Sequence, residues 1–406
     1  MRHGLTRCLA ALLLCLTFPS LASASVARVM GLNTPAEYVK GDYTGMYTFL
    51  SQVNRTGNLV WIEAGSSERG FGDQGVGAVL PNLFEGRTGV WSFNLRAEHP
   101  GLGQAWSRNL LGPSFNSNDR DFAGGGEAFD ILWGHKLGSG NLGLRLHRTF
   151  QSTDDGTNTT EGSGTYSRNI MGYGVGYDFQ LNPTNQVEMV VQYQQRTYES
   201  SPTDLSDDGS ALLVVGRVMR TCANATVIPL VKYYAIDHSS LVSNVEVVDK
   251  SSGWQVGLAS NWTLGAGDLF ILGGQVASDK REDAADEQIT RTYYPNVFAA
   301  IETYVNPWLT FRAGAHAAAF HSIKEEAGTT EATYKQADFS FNLGTSVKMG
   351  SLTFDAVLEP AFLQNPFAQL SGGSSAFYSN NYYKFRAAGG SPFSVAFPQV
   401  SATYTW

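Results

Sequence analysis

The sequence predicts an all-β fold: a closed antiparallel transmembrane β-barrel of about 16 strands, with short periplasmic turns and long extracellular loops. Three observations carry this. Apolar and polar residues alternate with period 2 through most of the chain after residue 55. The segments joining these stretches are short and long by turns. The last eleven residues, Ala396 to Trp406, alternate as well and stop on an aromatic.

The first residues set the compartment. Met1 to Arg7 carries Arg2 and Arg7 and no acid, an apolar run follows from Cys8 to Phe18, and Ala22-Ser23-Ala24 supplies small residues. A basic start, an apolar run too short to span a bilayer and an A-x-A exit make residues 1–24 a secretory signal peptide. A retained anchor is the alternative. Leu12-Leu13-Leu14-Cys15 lacks the small residue expected before a lipidated cysteine.

Removing those residues leaves 382, with 26 basic against 36 acidic side chains. That balance argues against a nucleic-acid partner, which would want a basic face. Charged residues make up 16% of the chain, below the roughly 25% of soluble domains. No later stretch reaches the ~18 consecutive apolar residues of a spanning helix, and mean hydropathy is −0.16. A barrel wall has this profile, because each strand hides its apolar half at alternate positions. Cys222 alone remains after the signal, in a tight turn at Thr221–Ala225, so neither a disulfide nor metal-ligand spacing is expected. A buried or unreactive thiol is the default, and no cofactor is indicated.

Residues 25–55 break the alternation and form either a periplasmic segment or a plug for the lumen. A short helix is expected at Pro35–Val39. The Ala27-Arg28 start followed by Asp42 resembles the N-terminus of the outer-membrane transporters for hydrophobic compounds, the long-chain fatty-acid transporter family. Thr48-Phe49-Leu50 stands where that family has Asn-Pro-Ala. The resemblance implies a segment that plugs the lumen.

The barrel occupies 56–406. Its first strand is expected near Asn58–Ala64. The second, around Val76–Leu80, is the weakest, and losing its hairpin would leave 14 strands. Trp91, Phe93 and Leu95 then alternate with Ser92, Asn94 and Arg96; Tyr173, Val175 and Tyr177 with Gly172, Gly174 and Gly176. Further on, Trp254, Val256 and Leu258 oppose Gln255 and Gly257, Phe311 and Ala313 oppose Arg312 and Gly314, and Leu352 and Phe354 oppose Thr353 and Asp355. Short turns fall at Gly138–Asn141, Asn182–Asn185, Thr221–Ala225, Gly265–Asp268, Asn306–Trp308 and Met349–Ser351. Longer polar segments fall at Gln151–Thr165, Ser200–Gly209, His238–Ser252, Asp279–Gln288, Ile323–Thr333 and Gln364–Pro392.

In the final strand Tyr404 and Trp406 share the apolar face. A terminal Trp with Tyr two places before it resembles the C-terminal assembly signal of Gram-negative outer-membrane barrels. This implies the barrel-assembly machinery, outer-membrane lipid and lipopolysaccharide as partners. Tyr304, Trp308 and Trp262 would join these two in an inner aromatic girdle, with Tyr166, Tyr198, Tyr293 and Tyr334 in an outer one.

Parity places Arg96, Lys136, Arg145, Arg196, Arg217, Lys232, Arg312 and Lys348 on the lumen face, with Glu63, Asp130, Asp178, Glu188, Glu302, Asp355 and Glu359. Such rings of charge select polar solutes; cross-strand pairing that braces the wall is the alternative. Glycines on the same face (172, 174, 176, 257, 314) leave room or accommodate a plug. The segment Gly101–Glu127, carrying Arg108, Asp119, Arg120 and Asp121, resembles in length the loop that narrows general porins. His147 and His316 point inward, with His99, His238 and His321 near the outer rim, and none sits in a catalytic motif. The acids Asp207, Asp208, Asp283, Asp286 and Glu287 read as solvated loops rather than a metal site. Taken together, the expectation is a non-enzymatic, porin-like channel passing small solutes by diffusion. A plugged transporter for hydrophobic compounds and a non-conducting structural barrel are the alternatives.

Overall fold

The computed structural model describes residues 25–65, 75–81, 83–99, 124–154, 165–201, 205–242, 245–265, 267–282, 288–327, 330–358 and 399–406. Sixteen strands lie among them. They are β1 (Leu59–Gly65), β2 (Gly75–Leu80), β3 (Val90–His99), β4 (Gly124–Leu137), β5 (Gly140–Asp154), β6 (Thr165–Asn182), β7 (Asn185–Ser201) and β8 (Leu205–Cys222). The second half comprises β9 (Ala225–Val242), β10 (Val245–Leu264), β11 (Asp268–Glu282), β12 (Gln288–Asn306), β13 (Leu309–Ala327), β14 (Thr330–Met349), β15 (Leu352–Leu358) and β16 (Gln399–Thr405).

Each strand pairs antiparallel with its neighbours in sequence, and β1 pairs with β16 to close the ring. Leu59 faces Thr405 and Gly65 faces Gln399 across that seam. The doubtful strand, β2, is paired on both sides, so the number is 16 and not 14. Closure is what the bilayer demands, since an open edge would leave peptide groups unpaired in hydrocarbon at several kcal/mol each.

Burial is inverted relative to a soluble protein. Leu95, Tyr173, Val231, Trp254, Val256, Leu258 and Phe311 are exposed on the outside, while Asn94, Lys232, Gln255 and Arg312 are buried inside. A band of exposed apolar side chains running round a closed wall has hydrocarbon as its natural solvent.

The six short turns sit where the sequence places them, closed by the pairs Leu137–Gly140, Asn182–Asn185, Cys222–Ala225, Leu264–Asp268, Asn306–Leu309 and Met349–Leu352. Cys222 itself is exposed, which removes the buried alternative of the two expected for it. The opposite ends differ more. The expected loop His238–Ser252 is mostly ladder, with Val242 paired to Val245. Likewise β7 runs to Ser201 before β8 starts at Leu205, and β13 runs to Ala327 before β14 starts at Thr330. Strands of 20 residues such as β10 and β14, at about 3.3 Å per residue, overrun an apolar band about 25 Å tall even when steeply tilted. Beyond the bilayer both faces are wet, so the alternation fades while the hydrogen bonds continue.

Residues 25–55 lie against the inner face of the ring. A helix, α1 (Val26–Leu32), is capped by the Ser25 hydroxyl, which accepts from the Arg28 amide at 3.1 Å, and ends on Asn33 in the left-handed region at φ 46°. Tight 3-10 turns follow at Ala36–Tyr38, Tyr43–Tyr47 and Leu50–Arg55. The helix expected at Pro35–Val39 is thus a single three-residue turn. Leu32, Tyr38, Met46, Phe49 and Leu50 are fully buried.

Candidate functional site: the charged lumen around residues 25–55

Three groups of side chains tie the inner segment to the wall, all in its short-turn half. Around α1, the Arg28 guanidinium donates from two nitrogens to Glu302 of β12, at 2.7 and 2.9 Å. Glu302 also accepts from Arg312 of β13 at 2.5 Å, and Arg312 reaches Asp355 of β15 at 2.7 Å. The Ser25 hydroxyl donates to the other oxygen of Asp355 at 2.8 Å, and Arg28 lies 3.5 Å from Asp42. Glu302 and Arg312 are directly opposite in the ladder, so α1 completes a pair the wall already holds.

The second group is on β6 to β9. Asp178 and Glu188 face each other across the β6–β7 ladder, a like-charge register that is unfavourable by itself. Arg55 of the inner segment bridges them, bonded to Asp178 and 3.6 Å from Glu188. Arg217 also pairs with Glu188 at 2.7 Å, stacks over the Phe49 ring with its carbon 3.9 Å from the centroid, and donates to the Glu37 carbonyl. Lys232 pairs with the Glu37 carboxylate. Burial pushes the Glu37 carboxyl up, but the Lys232 ammonium and its hydrogen bond outweigh burial and hold it below the usual carboxylate range.

The third group lies on β4, β5 and β7. Arg145 pairs with Asp130 at 2.7 Å and donates to Gln192 at 2.8 Å, while Gln192 donates to the Tyr47 carbonyl at 2.9 Å. His147 is buried 3.4 Å from Asp130.

Apolar contacts and glycines fit the segment to the wall. Tyr38 packs on Phe298 with ring centroids 5.1 Å apart, and Tyr43 stacks on Trp61 at 5.7 Å. A Cβ on Gly143 would run into the Leu50 backbone, and one on Gly314 into the Leu32 carbonyl. Gly31 meets Gly344 so closely that a Cβ on the former would lie 3.0 Å from the Cα of the latter.

Of the lumen residues expected from sequence, Arg145, Asp178, Glu188, Arg217, Lys232, Glu302, Arg312 and Asp355 are buried on the inner face. Lys136 is exposed beside the short β4–β5 turn. Arg96 and Arg196 sit in β3 and β7, with side chains outside the described residues, as are Glu359 and the loop residues Arg108, Asp119, Arg120 and Asp121. Tyr404 and Trp406 are exposed, stacked with centroids 6.0 Å apart. The sequence reading missed Arg28, Glu37 and Arg55 as partners of the wall, and Asp42 as a partner of Arg28 within the inner segment. Adjacent acids on one lumen face, Asp178 and Glu188, were the available signal that a cation must come from elsewhere.

The sequence matches no protein-family profile and no curated protein. Among solved structures it is similar to BauA, the ferric preacinetobactin receptor of Acinetobacter baumannii, at 8% identity over 74% of this chain and 53% of that one, with a TM-score of 0.45. The siderophore receptor PirA of Pseudomonas aeruginosa gives 10%, 74%, 41% and 0.35, and the ferric-catecholate import receptor Fiu of E. coli gives 8%, 74%, 69% and 0.37. The chain spans about half the length of the first of these. The assignment stands instead on the closed ladder, the even strand number and the exposed apolar band. The chain is a closed transmembrane β-barrel of 16 antiparallel strands.

Proposed function

We propose that this barrel is an outer-membrane transporter closed in its short-turn half by residues 25–55, passing small solutes only when that segment shifts. One observation carries the reading. The inner segment bonds through side chains or backbone to strands on every side of the ring, from β1 (Glu63) and β3 (Asn94) through β7 (Glu188) and β10 (Asn261) to β14 (Ser340) and β16 (Ser401). Open diffusion needs a free path, and the segment occupies that path at this level. The plugged alternative is therefore favoured over the porin-like one. No catalytic step is assigned to the chain. Lipid, lipopolysaccharide and the assembly machinery belong to the proposal as partners, through the apolar band and the Tyr404–Trp406 end.

Planar-bilayer conductance tests this. The refolded mature chain is expected to pass little current, and removal of residues 25–55 to raise it severalfold. A full chain that conducts as freely as the deletion overturns the proposal.

A further inference from the structure

Four acids and two cations are buried together where α1 meets the wall. Arg28 and Arg312 stand among Asp42, Glu302 and Asp355, and Glu63 joins this group through Ser401, the ladder partner of both Glu63 and Asp355. The two arginines engage the first three. Glu63, 3% exposed, accepts only from neutral groups: the Val26 amide at 3.0 Å, the Tyr43 hydroxyl at 2.5 Å, the Gln399 amide at 3.0 Å and the Ser401 hydroxyl. Among the described residues no cation pairs with it. A buried cluster with an unmatched acid is costly, because charges removed from water need opposite charges beside them.

Removal of the expected signal peptide would supply a suitable cation. Ser25, fully buried, directly follows Ala22-Ser23-Ala24, the exit expected for signal cleavage. Hydrolysis there adds water across the Ala24–Ser25 amide, leaving a carboxylate on Ala24 and an ammonium on Ser25. The Ser25 hydroxyl is 2.8 Å from Asp355, and the next backbone nitrogen, that of Val26, is 3.0 Å from Glu63. Successive backbone nitrogens lie under about 4 Å apart, so the Ser25 nitrogen is within about 7 Å of the Glu63 carboxylate. We propose that the α-ammonium of Ser25, created by signal removal, pairs with Glu63 and Asp355 and seats the inner segment. The barrel then closes only once its leader has been cut at this bond. The inference rests on the segment lying in the lumen and on that cleavage site, and it does not depend on how solute passes.

The test uses the chain released from a fusion so that Ser25 is its first residue, folded in detergent micelles, with folding checked by heat-modifiable migration. Ser25 is acylated at neutral pH and read by mass spectrometry. The amine is expected to react at least about tenfold more slowly in the folded chain than in urea, and Glu63→Gln to remove most of that protection. Two glycines added before Ser25 are expected to speed trypsin cleavage after Arg28 at least about tenfold, with little further effect in Glu63→Gln. Nα-acetylated Ser25, which loses the charge and adds little length, should behave like the extended chain. Equal reactivity folded and unfolded, an extension effect of the same size in Glu63→Gln, or a membrane-derived chain that does not start at Ser25 would each overturn the proposal. None of these readouts is a conductance, so their failure is separable from that of the transport reading.

Discussion

Arg28 and Lys40 show how differently two cations of one segment can count. Arg28 is buried with a two-pronged bond to Glu302, whereas Lys40 is exposed and, among the described residues, bonds only to Thr226 at 3.4 Å. Removing one partner of a buried pair leaves an uncompensated charge at about 3–5 kcal/mol, while exposed contacts contribute under about 1 kcal/mol. Arg28→Ala is therefore expected to loosen the inner segment by a few kcal/mol, and Lys40→Ala hardly at all. Proteolysis of residues 25–55 in the folded barrel, measured across a urea series, reads the difference. Equal effects would contradict the pairing described. At this scale the wall half of each pair was legible, because a period of 2 assigns Arg145, Arg217, Glu302 and Arg312 to the lumen without any structure. Their partners were not, because Arg28 sits on a seven-residue helix and Glu37 and Arg55 on tight turns, all too short to show a period.

The elements were legible at one end and obscure at the other. Short turns are marked by residues such as Gly138 and Gly350, both at positive φ, and their strands start within a residue or two of expectation. At the far ends polar residues on both faces look like loops although the ladder continues. The fit between α1 and the wall gives a prediction at this scale. Gly314 faces the Leu32 carbonyl with no space for a Cβ, and backbone cannot yield as a flexible side chain would. Gly314→Val is expected to lift α1 off β13 and raise bilayer conductance, leaving the barrel folded by heat-modifiable migration; an unchanged current would mean that α1 does not close the path. The last strand makes another. Trp406 is exposed, its carbonyl held by Asn58 at 3.1 Å, so its ring contributes little to the fold. Deleting Trp406 is expected to lower the amount reaching the outer membrane severalfold while refolding in detergent proceeds as before. Equal loss in both settings would make the ring structural and remove its proposed role in assembly.

For the molecule as a whole, the ring itself was written plainly in the chain. Alternation and turn spacing point to a ring of about sixteen staves, with fourteen left open by the weak second strand, and hydrocarbon requires that ring to close. What fills the ring was hardly written at all. The glycines at 174, 176, 257 and 314 hinted at it, each lying where the inner segment comes close, whereas Gly172 meets His147 and Gln194 of the wall. Occupancy, not the wall, decides between an open pore and a closed transporter, and it depends on contacts between residues more than 300 positions apart, such as Asn33 and Ser340 at 2.8 Å. That pair allows the most direct test. Cysteines replacing Asn33 and Ser340, with Cys222→Ser to remove the native thiol, should form a disulfide in outer membranes of intact cells and hold conductance low until reduced. Free thiols at both positions under oxidising conditions, in a barrel shown to be folded, would contradict a lumen occupied by the chain's own N-terminal segment.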